Sequence, residues 1–227
     1  MIRCYVHDLR RISYEEAFRV QKQAVGKLQD GTGDECFFLL EHPHVITCGR
    51  SASRDSLLCN PALIEEKGGS VVETDRGGDV TYHGPGQLVG YPIFKLEEDR
   101  RDVRRYAFDI ESALIKTLAP YGIHCDHHPE YTGVWTQGRK IASIGLRISR
   151  WVTCHGFALN VNTDLSYFSL IRPCGIPGCV MTSMEQELGA PADMSGVKDN
   201  IVRSFSQVFA REMIPQEQYN GIKTQNE

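Results

Sequence analysis

The chain has 227 residues, 41% of them hydrophobic, enough to bury a sizeable core and close to the upper length for one compact domain. Its 25 Lys and Arg against 29 Asp and Glu leave a net charge of -4, which excludes a broad basic footprint for nucleic acid or for a membrane surface. No apolar run approaches the ~20 residues of a membrane helix, and the first eight residues lack the basic-then-apolar layout of a signal peptide. A cytoplasmic location is expected, with the eight cysteines mostly reduced.

In chain order, a capping box of Ser13 and Glu16 opens a helix to about Gln29, with Ala17, Val20, Ala24 and Leu28 as its buried stripe. The apolar run Glu35 to Glu41 reads as a central strand stopped by His42 and Pro43, and Val45 to Cys48 resumes a strand. Asn60 and Pro61 fit the N-cap and first position of a short helix ended by Gly68 and Gly69, and Ser70 to Glu73 leads back into the sheet. Residues Arg76 to Gln87 then hold four glycines in twelve positions, followed by an apolar strand from Leu88 to Phe94.

Asp102 caps a helix whose apolar face is Val103, Tyr106, Ala107, Ile110, Ala113, Leu114 and Leu118, ended by Pro120 and Gly122. Gly133 to Trp135 and Lys140 to Ile148 read as two strands joined by a hairpin turn over Thr136 to Arg139. His155 to Asn162 is another strand, Asp164 to Leu170 a short irregular helix, and Pro173 to Gly178 a rigid loop. A last helix carries Val197, Ile201, Phe205 and Phe209, and the tail from about Pro215 is polar and expected to be loose. Interleaved helices and strands with hairpin-like pairs predict an α/β (α+β) fold, a mixed β-sheet flanked by helices. The expected organisation is one catalytic domain over 1–213 and a polar tail over 214–227.

Cys174 differs from the other cysteines in standing in a Pro/Gly-rich loop, Pro173-Cys174-Gly175-Ile176-Pro177-Gly178, where rigid residues present reactive groups. A nucleophilic thiol must ionise, and its ordinary pKa of about 8.5 calls for a cation or base beside it. By residue type alone, Cys174 reads as a bystander thiol and Lys140 as a strand-end lysine facing water. The glycine-rich segment matches neither the P-loop nor the dinucleotide fingerprint, because a strand follows it in place of a helix. Its amides suit the wall of an acyl site. His124, Cys125, Asp126, His127 and His128 have no second pair at ligand spacing, so neither a metal nor a cofactor is expected.

Four ordered segments carry a resemblance. Arg76-Gly-Gly-Asp-Val-Thr-Tyr-His-Gly-Pro-Gly-Gln87, Gly133-Val-Trp135 with Gly138-Arg-Lys-Ile-Ala-Ser-Ile-Gly145, His155-Gly-Phe-Ala-Leu-Asn160 and Pro173-Cys-Gly-Ile176 closely resemble the lipoyl(octanoyl) transferases. The likeness runs from about Leu40 through Gly189. It implies the fold of the biotin and lipoate protein ligase catalytic domains and an acyltransferase without a cofactor. The donor implied is an octanoyl (or lipoyl) thioester of acyl carrier protein. The acceptors implied are lysines on the lipoyl domains of 2-oxoacid dehydrogenase complexes and on the glycine-cleavage H protein, in the first step of endogenous lipoate assembly.

Residue by residue, Cys174 matches the acyl-enzyme nucleophile and Lys140 the dyad partner that favours its thiolate. Arg76, Gly77, Gly78, Asp79, Val80, Thr81, Tyr82 and His83 match one acyl-binding strip. Ser143, Ile144 and Gly145 match a second, and Gly156, Phe157 and Ala158 a third. His155 and Gln87 stand as supporting residues, and His83 as a candidate donor to an oxyanion. The His42-Pro43-His44 run and the His-rich loop depart from the family pattern without touching the dyad. Two rivals remain open at this point: an ATP-dependent lipoate or biotin ligase on the same fold, which needs no cysteine, and a silent module that only docks carrier domains.

Overall fold

The computed structural model describes residues 1–66 and 68–216. In chain order its elements are β1 (Ile2–Arg11), α1 (Tyr14–Gln29), β2 (Glu35–Glu41), β3 (Val45–Cys48), α2 (Pro61–Glu66), β4 (Ser70–Glu73), β5 (Val80–His83) and β6 (Gln87–Ile93). There follow α3 (Val103–Leu118), β7 (Asp126–His127), β8 (Val134–Thr136), β9 (Arg139–Ser149), β10 (Val152–Asn160), α4 (Met184–Leu188), α5 (Met194–Phe209) and β11 (Arg211–Gln216). Local chemistry explains the boundaries. Ser13 Oγ accepts from the Glu16 amide at 3.2 Å to start α1, and Asp102 accepts from the Arg104 and Arg105 amides to start α3. Gln137 and Gly138, both at positive φ, turn β8 into β9 as a two-residue hairpin requires.

Eight strands form one mixed sheet in the order β11-β1-β2-β6-β10-β9-β8-β7, with only the β11-β1 and β1-β2 pairs parallel. The continuous apolar runs are strands buried on both faces. Phe37, Leu39, Leu88 and Phe157 turn toward α3 and α5, where Phe37 stacks on Phe205 at 4.6 Å, while Phe38, Leu40, Val89 and Ala158 turn toward α1. Burying one such phenylalanine is worth about 1.5–3 kcal/mol. The expected mixed sheet flanked by helices is therefore what the chain forms.

Four expectations change. Val45 to Cys48 and Ser70 to Glu73 do not rejoin the main sheet; with β5 they make a separate three-stranded sheet, β4-β3-β5, closed over its own apolar cluster of Ile46, Ile64, Val80, Tyr82, Phe168 and Ile171. The second half of the glycine-rich segment is that strand β5. β1 opens the chain and was not foreseen. Residues Ile214 to Gln216 pair with Tyr5 to His7, so the boundary at 213 falls inside a strand; 217–227, the rest of the expected tail, lie outside the described residues. β11 is anchored by Arg211, whose guanidinium meets the Glu35 carboxylate at 2.8 Å with both side chains buried. Among the described residues no helix is long and apolar enough to cross a membrane.

Candidate active site

The two expected acyl-binding strips on β9 and β10 are cross-strand partners: Ser143 faces Ala158, Ile144 faces Phe157 and Gly145 faces Gly156. Residues 76–79 lie across this ladder, with the Gly77 amide donating to Leu146 O at 2.8 Å. A Cβ on Gly145 would lie 3.0 Å from Arg76 Cδ and 3.1 Å from Gly77 O, so glycine is what lets that segment lie on the sheet. Between them runs a cavity of about 420 Å³ lined by all three strips, Lys140, Cys174 and Ile176, within the range of small-molecule sites.

Lys140 and Cys174 meet in this cavity. Lys140 is 1% exposed, and its Nζ donates to Cys174 Sγ at 3.3 Å and to Thr132 O at 2.9 Å, with the Trp135 ring centroid 5.4 Å away. A solvent-facing strand end is thereby excluded. Lys140 reaches the sulfur because position 133 is glycine: at φ +136, an added Cβ would lie 2.5 Å from Lys140 Cε and 2.7 Å from Ala142 O. The Gly133 amide is pinned to Glu111 Oε1 at 2.7 Å, which also fixes the neighbouring Thr132 carbonyl. Among the described residues Lys140 makes no ion pair with a carboxylate, and the Cys174 sulfur is the side-chain group its amine meets. Arg139, which could have supplied the charge instead, pairs with Glu187 at 3.0 Å.

Cys174 occupies the left-handed region at φ 55, ψ 18, a conformation that costs a residue with a side chain energy and that surrounding contacts must enforce. Three contacts do so. The Gly175 and Ile176 amides close turns onto Arg172 O and Pro173 O, each at 3.0 Å, and Ser143 Oγ lies 3.8 Å from the sulfur. Asp79 braces the loop from behind: a Cβ on Gly175 would meet Asp79 Oδ2 at 2.5 Å, and that oxygen accepts from Ser56 Oγ at 2.9 Å. Since the Gly77, Gly175 and Ile176 amides are committed to carbonyls, those three are not free to receive an oxyanion.

Arg76 puts a second buried cation in the wall. Its donors go to neutral groups, Thr47 O at 2.6 Å, Thr47 Oγ1 and Gly77 O. Val80 and Tyr82 point instead into the small sheet's core.

The buried imidazoles have readable tautomers. Asn160 Nδ2 donates to Thr182 O and Gln87 Nε2 donates to Tyr82 O and Asn160 Oδ1, so Gln87 Oε1 faces His83 Nδ1 at 2.7 Å and that nitrogen carries the proton. Burial, with His42 nearby, holds the His83 pKa well below its ordinary value. A neutral His83 therefore presents Nε2 as a lone pair and cannot donate to an oxyanion, against the expectation. His42 donates from Nδ1 to Ile12 O and accepts from Tyr91, and burial lowers its pKa to about 4. His155 Nε2 lies 2.7 Å from Asp75 Oδ1; burial lowers the imidazole's pKa against that carboxylate's opposing pull, and its buried Nδ1 has no hydrogen-bond partner.

The cavity also draws on Tyr14, Arg50, Tyr91, Val103, Ala107 and Thr132, none foreseen from sequence. The His-rich loop turns away from chemistry: His127 bonds Glu111 at 2.7 Å and stacks on Phe108, and His128 accepts from the Glu130 and Tyr131 amides. Among the described residues no group of three or more His, Cys, Asp or Glu side chains is placed to hold a metal.

Comparison with known proteins gives the family of the chain. Residues 13–206 match the family model described as the lipoyl protein ligase A/B catalytic domain. An octanoyltransferase from Solibacter usitatus is 49% identical over 215 residues, covering 95% of this chain and 97% of that protein. One from Myxococcus xanthus is 47% identical over 92% of this chain, which spans 60% of that longer protein. The crystal structure of a lipoate-protein ligase A bound with ATP superimposes with a TM-score of 0.80 over 96% of this chain and 90% of that one, at 13% identity, a likeness of fold alone. The chain belongs to the lipoyl protein ligase A/B catalytic-domain family and, within it, to the octanoyltransferases, which are acyltransferases.

Proposed function

We propose that the protein moves an octanoyl group from the thioester of an acyl carrier protein to a lysine of a lipoyl domain, holding it in between as a thioester on Cys174. The observation that carries this is the Lys140 Nζ to Cys174 Sγ contact of 3.3 Å inside a cavity walled by the three acyl strips. The names of the relatives support octanoyl as the group; the carrier donor, the cysteine thioester and the acceptor lysine are the reading offered here.

In the first half-reaction the Cys174 thiolate, favoured by the adjacent ammonium, attacks the donor carbonyl. The tetrahedral intermediate collapses, the carrier's sulfur leaves and takes the proton of the Lys140 ammonium, and one thioester replaces another of similar energy, so ATP is not consumed. In the second, the acceptor lysine attacks as a neutral amine, its proton passes to Lys140 once that group is uncharged, and the Cys174 sulfur departs. Formation of the amide makes this step downhill. The acceptors are the lipoyl domains of 2-oxoacid dehydrogenase complexes and the H protein of glycine cleavage.

The test is intact-protein mass spectrometry after incubation with octanoyl-acyl carrier protein in the absence of ATP. The unaltered protein gains one octanoyl group, and Cys174→Ala gains none. An adduct of the same mass on Cys174→Ala overturns Cys174 as the acylated residue, and an unmodified protein that octanoylates a lipoyl domain only with ATP and free acid overturns the assignment in favour of a ligase.

A further inference from the structure

The β9–β10 ladder is a ruler along the cavity. At one end Ser143, 3.8 Å from the Cys174 sulfur, pairs with Ala158; three residues along, Leu146 pairs with His155. Three strand residues span ~10 Å. An extended octanoyl group covers roughly 9 Å from carbonyl carbon to methyl, being seven carbon–carbon bonds of about 1.5 Å at tetrahedral angles. A chain attached to Cys174 and laid along this ladder therefore puts its methyl beside His155.

A group of rings stands at that end. The His155 ring centroid is 5.2 Å from Phe18 and 6.4 Å from Tyr91, and Tyr14 lies 6.3 Å from both Phe18 and His83. The four of these that line the cavity are each fixed by a hydrogen bond: Tyr14 to Thr74 at 2.8 Å, His83 to Gln87, Tyr91 to His42 and His155 to Asp75. Swinging any of them aside breaks its hydrogen bond.

We propose that Tyr14, His83, Tyr91 and His155 form the stop that sets the acyl chain at eight carbons. This inference rests on Cys174 being the atom that carries the acyl group.

The experiment offers the full chain an equimolar mixture of hexanoyl-, octanoyl-, decanoyl- and dodecanoyl-acyl carrier protein and reads the adducts by intact mass. The unaltered protein loads octanoyl in preference to decanoyl. Tyr14→Leu, which lowers the stop, raises the decanoyl-to-octanoyl ratio at least about tenfold, the scale on which pockets discriminate methylenes. Tyr14→Trp, which raises it, shifts loading from octanoyl toward hexanoyl. Decanoyl loading equal to octanoyl in the unaltered protein overturns the stop without recourse to variants, as does an unchanged ratio in the variants that fold. No adduct with any chain overturns the Cys174 reading and the stop together, so the two failures are told apart.

Discussion

At the scale of single residues, the proposed dyad is one sulfur and one nitrogen brought together by the groups around them. Lys140 is aimed by the Thr132 carbonyl, by the absence of a side chain at Gly133 and by Glu111 behind it. Replacing Lys140 with Ala removes the one cation that, among the described residues, is hydrogen-bonded to the sulfur. Alkylation of Cys174 by iodoacetamide at neutral pH is then expected to slow by at least about tenfold, since the thiolate is the reacting form. Equal rates in the two proteins would remove Lys140 from the activation of the thiol. The Pro/Gly-rich context marked Cys174 as a presented residue, and the motif order marked Lys140. The Thr132 carbonyl and the left-handed φ of Cys174 left no side-chain signal to read.

At the scale of elements, capping and periodicity were legible and pairing was not. Ser13 with Glu16, and Asp102, start helices where their side chains accept the first free amides, a local event that residue order records. Asp102→Ala is expected to cost about 1 kcal/mol, a fall of roughly 2–4 °C in Tm for a chain of this size, with octanoyl loading unchanged. A thermal scan beside the loading assay checks both halves. β1 and β11 escaped notice for the opposite reason. Arg211 and Glu212 carry no strand pattern and Pro215 reads as the start of a polar tail, and only the parallel pairing with β1 and the buried contact of Arg211 to Glu35, 176 positions away, make them a strand. β5 was hidden inside a glycine-rich segment whose likeness to a binding loop was stronger than its strand pattern.

At the scale of the whole molecule, the fold stores polar groups inside a mostly apolar shell, and this sets its response to acid. His42 is fully buried, neutral and hydrogen-bonded at both nitrogens, with its pKa lowered to about 4. In the unfolded chain the same imidazole protonates below pH ~6.5. Between those values the unfolded state binds more protons, so stability is intact above pH ~6.5 and falls as the pH drops toward 4. At about 1.4 kcal/mol per pH unit, His42 alone removes roughly 3 kcal/mol over that window. Denaturant titrations from pH 7 to 4.5 are expected to show this slope and a shallower one in His42→Gln; identical slopes would contradict it.

The architecture holds residues 143–145 and 156–158 as one ladder and lays the glycine-rich segment across it, with Cys174 in the wall of the same cavity, as the proposed thioester intermediate requires. The most direct test of that role is a single-turnover chase. Octanoyl-loaded protein, freed of donor, is mixed with a lipoyl domain in the absence of ATP, and both masses are followed. The octanoyl mass is expected to leave the Cys174 thioester and appear on the lipoyl domain in equal amount and at the same rate. A lipoyl domain that gains the group while the Cys174 adduct persists, or an adduct that never transfers, would contradict a thioester intermediate at Cys174.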